Sequence, residues 1–294
     1  MYLESYLDNF KRYALYEREI NIYTTRDIIN ITKKLFEFIK ASDLKEINTP
    51  MIRNFLYNRK EERLWSARTF RNQRQYLKTF FAFCVDNGFI ELNPVSKVHT
   101  PKVPKTLPRF LTKEQARLIL AQTKQYDWRY KIEKTRNIAI ISMFLYTGMR
   151  LNELINLKTE DVNFSTREIH IKHGKGKKER IVPIYPKLMP ILQDYLSHRE
   201  RLNLFSPWFF QSLRLNARMS KKTVQGICRK IGKLTVYFSA HMLRHTFARN
   251  TINGGVNLFM VKELLGHNSI NTTIGYLSVS KQALKETFDE AILL

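Results

Sequence analysis

Cysteines and long apolar runs are scarce in this 294-residue chain. Its two cysteines, Cys84 and Cys228, stand singly within helical patterns and form neither a disulfide framework nor a metal-ligand spacing. We expect both to be reduced packing residues in a cytoplasmic protein. The most apolar helical stretch, Ile138 to Tyr146, falls far short of the roughly 20 residues that a membrane helix needs. The first residues show no signal-peptide pattern, so these absences argue against a secreted disulfide scaffold and a membrane-spanning protein.

Acidic side chains are few as well. Against 26 Asp and Glu stand 50 Lys and Arg, which gives a net charge of +24 and a pI near 10.0. An excess of this size favours a polyanionic partner, although charge alone leaves nucleic acid and anionic membrane open. Because hydrophobic residues make up 44% of the chain, it can bury the cores of one large or two ordinary domains.

Residues 1–97 have the periodicity of four helices. A break at Tyr23-Thr24-Thr25 predicts the cap of the second helix, and Thr49-Pro50 predicts the start of the third, where proline is favoured. The fourth helix, ended by Asn87-Gly88, carries a basic stripe at spacings of three and four. The stripe consists of Arg68, Arg71, Arg74 and Lys78. Because like charges on one face weaken a helix, we expect a phosphate-contacting face, with a merely solvated face as the alternative.

A proline-rich linker, residues 98–108, follows this helical region. Its prolines prevent a helix and favour an extended segment, and its lysines, Lys102 and Lys105, give it affinity for a polyanionic backbone that it could cross. Residues 1–100 hold 17 basic and 12 acidic side chains, and the remainder hold 33 and 14. Most of the positive charge therefore belongs to the second domain, which we place at residues 109–294.

The second domain combines helices with three short runs of strand character. They lie around Val162 to Phe164, from Glu168 to Lys172, and from Arg180 to Ile184. Between the last two runs, the glycine-rich segment His173-Gly174-Lys175-Gly176-Lys177-Lys178 predicts a hairpin turn, whose lysines could be simply solvated. We therefore predict an α+β fold that is mostly helical and contains a small three-stranded sheet.

The stretch from His241 to Tyr276 concentrates reactive groups. His241 and Arg244, three residues apart, share one face of a predicted helix. Gly266 predicts the end of a second helix, which places His267 in a connection before a short helix carrying Tyr276. Two imidazoles, a guanidinium and a phenol on short elements could together bind a phosphate and attack it.

A metal site is the alternative at this place, because His241 and His245 have the four-residue spacing of paired zinc ligands. The glutamate that the zinc proteases carry between them is missing, and Arg244 stands there instead. A cation beside Zn²⁺ is unfavourable. We therefore expect no metal, and we interpret His245 as a histidine that supports the helix.

Four segments within residues 147–276 carry the candidate reactive groups and their neighbours. They are Thr147-Gly148-Met149-Arg150-Leu151-Asn152-Glu153-Leu154; Gly174-Lys175-Gly176 with Glu179-Arg180-Ile181-Val182-Pro183; His241-Met242-Leu243-Arg244-His245-Thr246-Phe247-Ala248; and Leu264-Leu265-Gly266-His267 with Tyr276. Together they resemble the tyrosine recombinases, the family of Xer-type recombinases and phage or transposon integrases. The sequence departs from the family pattern at Ala240, where a proline is common, and at Ser278, where a histidine often stands.

The resemblance implies a catalytic set with one nucleophile. The set is Arg150, Lys175, His241, Arg244, His267 and Tyr276. Tyr276 would form a 3′-phosphotyrosyl bond with DNA, and Lys175 would protonate the departing 5′ oxygen. His241 would assist in moving the tyrosine proton, and Glu153 would orient a cation.

The two arginines suit the stabilisation of negative charge on the phosphate. Attack on a phosphodiester builds negative charge on the phosphoryl oxygens. Arg150 and Arg244 remain protonated and present forked donors to the two non-bridging oxygens, and His267 could add a hydrogen bond there. Neither a metal nor ATP is implied, since the covalent link keeps the phosphodiester energy.

The resemblance also implies a four-helix, SAM-like core-binding domain (1–97) and a catalytic domain (109–294) that close on double-stranded DNA at a specific site. Lys177 and Lys178 would join the DNA contacts. The family assembles as a tetramer on two sites, with the C-terminal helix, here 281–294, docked in a neighbouring subunit; packing within its own domain is the alternative. The need for an accessory protein and the cis or trans placement of Tyr276 stay open.

Three other functions fit part of the pattern. A type IB topoisomerase would use the same chemistry to nick and close DNA without pairing two sites. A non-catalytic DNA-binding or architectural protein would keep the fold without the reaction. A metal-dependent carboxylate transposase is disfavoured, because residues 101–294 hold only 14 acidic side chains.

Overall fold

The computed structural model describes residues 3–104, 108–172, 179–213, 217–267 and residue 273. The chain divides into two compact units, the N-terminal unit (Met1–Lys105) and the C-terminal unit (Thr106–Leu294). Within the described residues, no helix combines the length and the apolar character needed to span a bilayer.

The N-terminal unit contains four α-helices in residues 3–104. They are α1 (Leu3–Arg12, followed by a π-helical turn, Tyr13–Glu17), α2 (Ile22–Ile39), α3 (Thr49–Glu62) and α4 (Ala67–Asp86), with a 3₁₀ turn at Leu44–Glu46. Pro50 lies in the first turn of α3, as predicted. The predicted cap of α2 is wrong by a few residues, because the side chain of Asn21 accepts the Tyr23 N–H and starts the helix at Ile22.

Aromatic side chains fill the core of this unit. The ring of Phe80 packs edge to face against Phe10, Phe36 and Phe81, with centroid distances of 5.5, 5.9 and 5.3 Å. All four side chains are buried. Edge-to-face pairs add about 0.5–1.5 kcal/mol each beyond the burial of their surface, so α4 is held to α1 and α2 by apolar packing.

The C-terminal unit has seven α-helices in its described residues. They are α5 (Lys113–Gln125), α6 (Lys131–Thr147), α7 (Leu151–Asn156), α8 (Met189–Arg201), α9 (Lys221–Gly232), α10 (Ala240–Asn253) and α11 (Leu258–Leu265). Helix α6 packs against α5, α8 and α10 and buries residues on nearly every face. Because α6 buries residues on nearly every face and contacts three helices, it forms the centre of this unit.

A small antiparallel sheet lies between α7 and α8 in sequence. Its strands in the described residues are β1 (Val162–Asn163), β2 (Glu168–Ile171) and β3 (Arg180–Pro183), in the order β1-β2-β3. Ile171 pairs with Arg180 at the end of the β2–β3 pair that is nearest, along the chain, to the connecting residues 173–178. The prediction of a mostly helical chain with a three-stranded sheet is confirmed for the described residues.

Candidate active site

Two glycines end the helices that lead into the site. Gly148 ends α6 with φ of +61° and Gly266 ends α11 with φ of +62°, a left-handed conformation that side chains with a Cβ resist. Arg150 follows Gly148 closely as the N-cap residue of α7. His267 follows Gly266 directly. Each glycine thus turns the chain so that a candidate catalytic side chain comes right after a helix end.

A buried carboxylate lies at the centre of the site. Glu153 Oε1 accepts hydrogen bonds from Arg150 Nη1 (2.7 Å) and Arg180 Nη1 (3.0 Å), and Oε2 accepts from Arg180 Nη2 and the Arg150 backbone N–H (both 2.7 Å). These charge-assisted bonds outweigh the desolvation of the carboxyl group, and the pKa of Glu153 falls to about 2. Glu153 is therefore ionised at neutral pH and orients two guanidinium groups at once.

Arg244 reaches the same centre from α10. Its side chain is 2% exposed, and its Nη1 lies 4.0 Å from Glu153 Oε2. Nη1 donates to the carbonyl oxygen of Gly148 and Nη2 to that of Leu265, each at 2.7 Å. The two glycine-ended turns therefore hold Arg244 between them, because each turn contributes one carbonyl.

Three histidines border the guanidinium groups. The ring of His267 is buried and its Nδ1 lies 2.9 Å from Thr273 Oγ1. His241, an exposed residue in the first turn of α10, stacks edge to face on His245 at a centroid distance of 4.2 Å. Burial and then the neighbouring arginines lower the pKa of His267 to about 4 and that of His241 below its usual value. Burial and then His241 lower the pKa of His245 to about 4.

The electrostatic balance of the site favours an anion. Among the described residues, the guanidinium groups of Arg150, Arg180 and Arg244 surround the single carboxylate of Glu153, and the nearby histidines are neutral at pH 7. The described residues contain no group of three His, Cys, Asp or Glu side chains that could hold a metal ion. What the arrangement can bind is a small anion such as a phosphate.

Comparison with known proteins gives this arrangement a family. Residues 109–283 match the model of the phage integrase family. The chain is 32% identical to the tyrosine recombinase XerC of Oceanobacillus iheyensis, across 97% of this chain and 95% of that protein. The chain belongs to the tyrosine recombinase family. Membership assigns site-specific DNA recombination as its function and confirms the family that the four sequence segments indicated.

Solved structures of recombinases share the fold. A XerH recombinase bound to its palindromic difH substrate after cleavage aligns with a TM-score of 0.78 and 24% identity, over 96% of this chain and 84% of that one. A lambda integrase tetramer bound to a Holliday junction aligns with a TM-score of 0.71 and 19% identity, over 94% of this chain and 77% of that one. At these identities the likeness establishes the architecture of the recombinase.

The structure brings together four predicted site residues of the recombinase, Arg150, Glu153, Arg244 and His267, and places His241 on the same helix as Arg244. The other predicted residues of the C-terminal unit, Lys175, Lys177, Lys178 and Tyr276, lie outside the described residues, as does the predicted helix 281–294.

Sequence reasoning missed Arg180. Its side chain is 8% exposed and binds both oxygens of Glu153. A signal was present, because side chains alternate along a strand and Arg180 shares a face with the buried Val182, whereas the apolar Ile181 is exposed. Because burying an unpaired charge is unfavourable, a charged residue on the inner face of a strand predicts a buried partner of opposite charge.

The basic stripe on α4 is less uniform than predicted. Arg68 and Arg71 are exposed and Lys78 is partly buried. Arg74 differs from them, because its Nε donates to the carbonyl of Val98 (2.9 Å) and its Nη2 to those of Val95 and Ser96 (both 3.1 Å). Arg74 therefore ties the segment after α4 to that helix. In the predicted linker, Lys102 is exposed and Lys105 lies outside the described residues.

Proposed function

We propose that this recombinase cleaves and rejoins double-stranded DNA at a specific site through a 3′-phosphotyrosyl bond to Tyr276. The observation that supports this chemistry best is the convergence of Arg150 and Arg244 on Glu153 and on the turn before His267. Two guanidinium groups fixed in this way form a rigid anion site beside neutral imidazoles.

The scissile phosphate would bind between Arg150 and Arg244, which would contact its non-bridging oxygens. Arg150 is the more accessible of the two, with a side chain 24% exposed against 2% for Arg244. The pentacoordinate transition state carries more negative charge on these oxygens than the ground state does. Cations held in a partly buried site therefore stabilise it preferentially, with His267 adding a hydrogen bond.

Proton transfers complete the step. The Tyr276 hydroxyl oxygen attacks phosphorus while its proton passes to His241, which is neutral at pH 7 because its pKa is lowered. The bond from phosphorus to the 5′ oxygen breaks, and that oxygen takes a proton from Lys175. In the second half, the 5′ hydroxyl oxygen of another strand attacks phosphorus and gives its proton to Lys175. The bond from phosphorus to the Tyr276 oxygen breaks, and that oxygen recovers a proton from His241.

No metal ion or ATP would be required by this scheme. Each half-reaction exchanges one phosphodiester bond for another, so the number of ester bonds is unchanged and no external energy source is consumed. The charge that a metal would neutralise elsewhere is met here by guanidinium groups. Cleavage in the presence of EDTA is therefore the expected behaviour.

Backbone contacts would supply most of the DNA affinity. The proposed contacts are Arg68, Arg71, Arg74, Lys78, Lys102, Lys105, Lys177 and Lys178, and Arg74 would contribute chiefly by fixing the segment after α4. Affinity carried by many phosphate contacts falls steeply with salt. We also propose that four copies assemble on two sites with residues 281–294 docked in trans, by analogy with the lambda integrase tetramer bound to a Holliday junction. The protein would act in the cytoplasm.

The test is covalent trapping. Sites selected from random DNA by binding are rebuilt as suicide substrates with a nick that lets the cleaved 5′ end diffuse away. The wild-type protein is expected to form an adduct that survives denaturation, and Tyr276→Phe is expected to form none, since the ring stays but the attacking oxygen is gone.

Two results would contradict the proposal. An adduct of equal yield with Tyr276→Phe would remove Tyr276 as the nucleophile, and the absence of any wild-type adduct would favour a non-catalytic DNA-binding protein. Relaxation of supercoiled DNA without joining of two sites would instead indicate a nicking-closing topoisomerase.

A further inference from the structure

Successive carbonyl groups at the end of α11 each accept a different guanidinium. Arg180 Nε donates to Leu264 O, Arg244 Nη2 to Leu265 O and Arg150 Nη2 to Gly266 O, each at 2.7 Å. The last carbonyls of a helix lack intrahelical partners and carry the negative end of its dipole. The end of α11 therefore acts as a template that spaces three cations from three different elements.

Among these arginines, Arg180 is committed to protein partners on all three guanidinium nitrogens. Nε binds Leu264 O, Nη1 binds Glu153 Oε1 and Nη2 binds Glu153 Oε2. Its side chain is 8% exposed, compared with 24% for Arg150. Arg180 is thus oriented toward the carboxylate and the turn, whereas Arg150 presents an accessible edge.

Arg180 contacts both of the groups that hold the Arg150 side chain, the Glu153 carboxylate and the turn at the end of α11. Arg150 is held by the Glu153 carboxylate and by the Gly266 carbonyl. Arg180 binds that same carboxylate through two bonds and binds the turn two residues before Gly266. We infer that Arg180 is a positioning residue for strand cleavage, which sets the geometry of the phosphate-binding Arg150 through Glu153 and the α11 turn.

Gly266 supports this inference from the other side of the contact. A Cβ at this position would lie 2.9 Å from Arg180 Nη1 and 3.2 Å from its Cδ. Since Glu153 and Leu264 hold that guanidinium in place, it has no room to retreat without losing their bonds. Glycine is therefore needed there for the close approach of Arg180 as well as for the left-handed turn.

The inference rests on the proposed cleavage reaction, so the experiment separates binding from cleavage. DNA dissociation constants and single-turnover cleavage rates on the suicide site are measured for wild type, Arg180→Met and Arg180→Lys. The exposed Arg201, at the end of α8, provides the matched control Arg201→Met. Thermal unfolding identifies any variant that fails to fold, and Arg180→Lys, which keeps a cation opposite Glu153, then carries the test.

Cleavage by Arg180→Met is expected to slow roughly 10- to 100-fold, with DNA affinity within about twofold of wild type and Arg201→Met unchanged. Arg180→Lys should restore little, because one ammonium cannot bind the carboxylate in a fork and the turn as well. In a Glu153→Gln background, Arg180→Met should slow cleavage less than in wild type, since the carboxylate route from Arg180 to Arg150 is already broken and only the contact with the α11 turn remains.

Three outcomes would overturn the inference while leaving the proposed function intact. The first is a cleavage rate of Arg180→Met equal to that of wild type. The second is a loss of DNA affinity in Arg180→Met as large as its loss of cleavage rate. The third is additivity of the Arg180→Met and Glu153→Gln effects on the cleavage rate. A wild-type protein that forms no adduct would instead defeat the proposed function, and the inference with it.

Discussion

The two units of this recombinase bury different kinds of side chain. Among the described residues, the buried polar side chains of the N-terminal unit are Thr25 and Thr32, and both bind the backbone of their own helix region. The C-terminal unit buries full charges, including Glu153, Arg199 and Arg244. The first unit is thus held by apolar packing, while the second depends also on directional bonds between charges.

The contrast indicates which unit does chemistry. Burying a charge is unfavourable unless it is paired and hydrogen-bonded, so a charged network in a core needs a reason beyond stability. In the C-terminal unit, the proposed anion site with fixed geometry supplies such a reason. The N-terminal unit presents its charges on the surface, where they suit contacts to a DNA backbone.

Burial of an arginine does not by itself mark a site, as Arg199 shows. Its Nη1 and Nη2 donate to the carbonyls of Trp208, Phe209, Leu204 and Ser206 at 2.9–3.2 Å, and no carboxylate is among its described partners. Arg199 therefore fixes the loop after α8. Arg180 differs because it binds a carboxylate that a second, more accessible arginine shares.

The largest expected effect tests the apolar unit. Phe80→Ala should lower the free energy of unfolding by about 3–5 kcal/mol, because the ring is fully buried among Phe10, Phe36 and Phe81. Hydrogen-exchange protection relative to wild type should fall mainly in peptides of residues 3–104, and by the same factor at pH 5 and pH 7. Tyr16→Ala, at an exposed ring of the same unit, is the control. A pH-dependent loss in Phe80→Ala would break the contrast between the units.

A slightly smaller effect is expected in the charged unit. Glu153→Gln should cost about 3 kcal/mol, since it leaves Arg180 and Arg244 buried without their counter-charge, and hydrogen exchange should quicken around α7, β3 and α11. Glu200→Gln, at an exposed position on α8, should change little. Unaltered exchange in Glu153→Gln would mean that the arginine–carbonyl bonds alone hold the site.

Lowering the pH should destabilise the C-terminal unit by a smaller amount, and progressively. The unfolded chain protonates Glu153 near pH 4.5, whereas the folded chain resists protonation down to about pH 2, so its contribution is complete above pH 4.5 and is lost as pH falls. At about 1.4 kcal/mol per pKa unit, roughly 2 kcal/mol disappears between pH 4.5 and 3. His245 and His267, with folded pKa values of about 4, add a loss in the same direction below pH 6.5.

Denaturant unfolding from pH 7 to pH 3 measures this dependence, with Glu153→Gln as the reference. The variant should follow a flatter curve below pH 4.5, where only wild type loses its ionised carboxylate. Parallel curves for the two proteins would assign the acid sensitivity to other groups.

Local sequence signals were sufficient for much of the fold. The strand runs in residues 162–184, the position of Pro50 in the first turn of α3 and the glycine end of α11 all follow from patterns within a few residues. The i,i+3 spacing of Arg150 and Glu153 likewise places their side chains within reach of one another. Such features depend on backbone conformation and nearest neighbours, which the order of amino acids encodes directly.

What the sequence determined by itself was the family, the order of the elements and the kind of chemistry, since these are written in motifs and spacings. Only the tertiary structure assigned Arg74 to the segment after α4 and joined Arg180 to a carboxylate 27 positions away and to the end of α11. The packing of helices and strands determines which residues so distant in sequence become partners. Because a buried charge is costly unless it is paired, the arginines that packing buries are the ones that need a hydrogen-bonding partner.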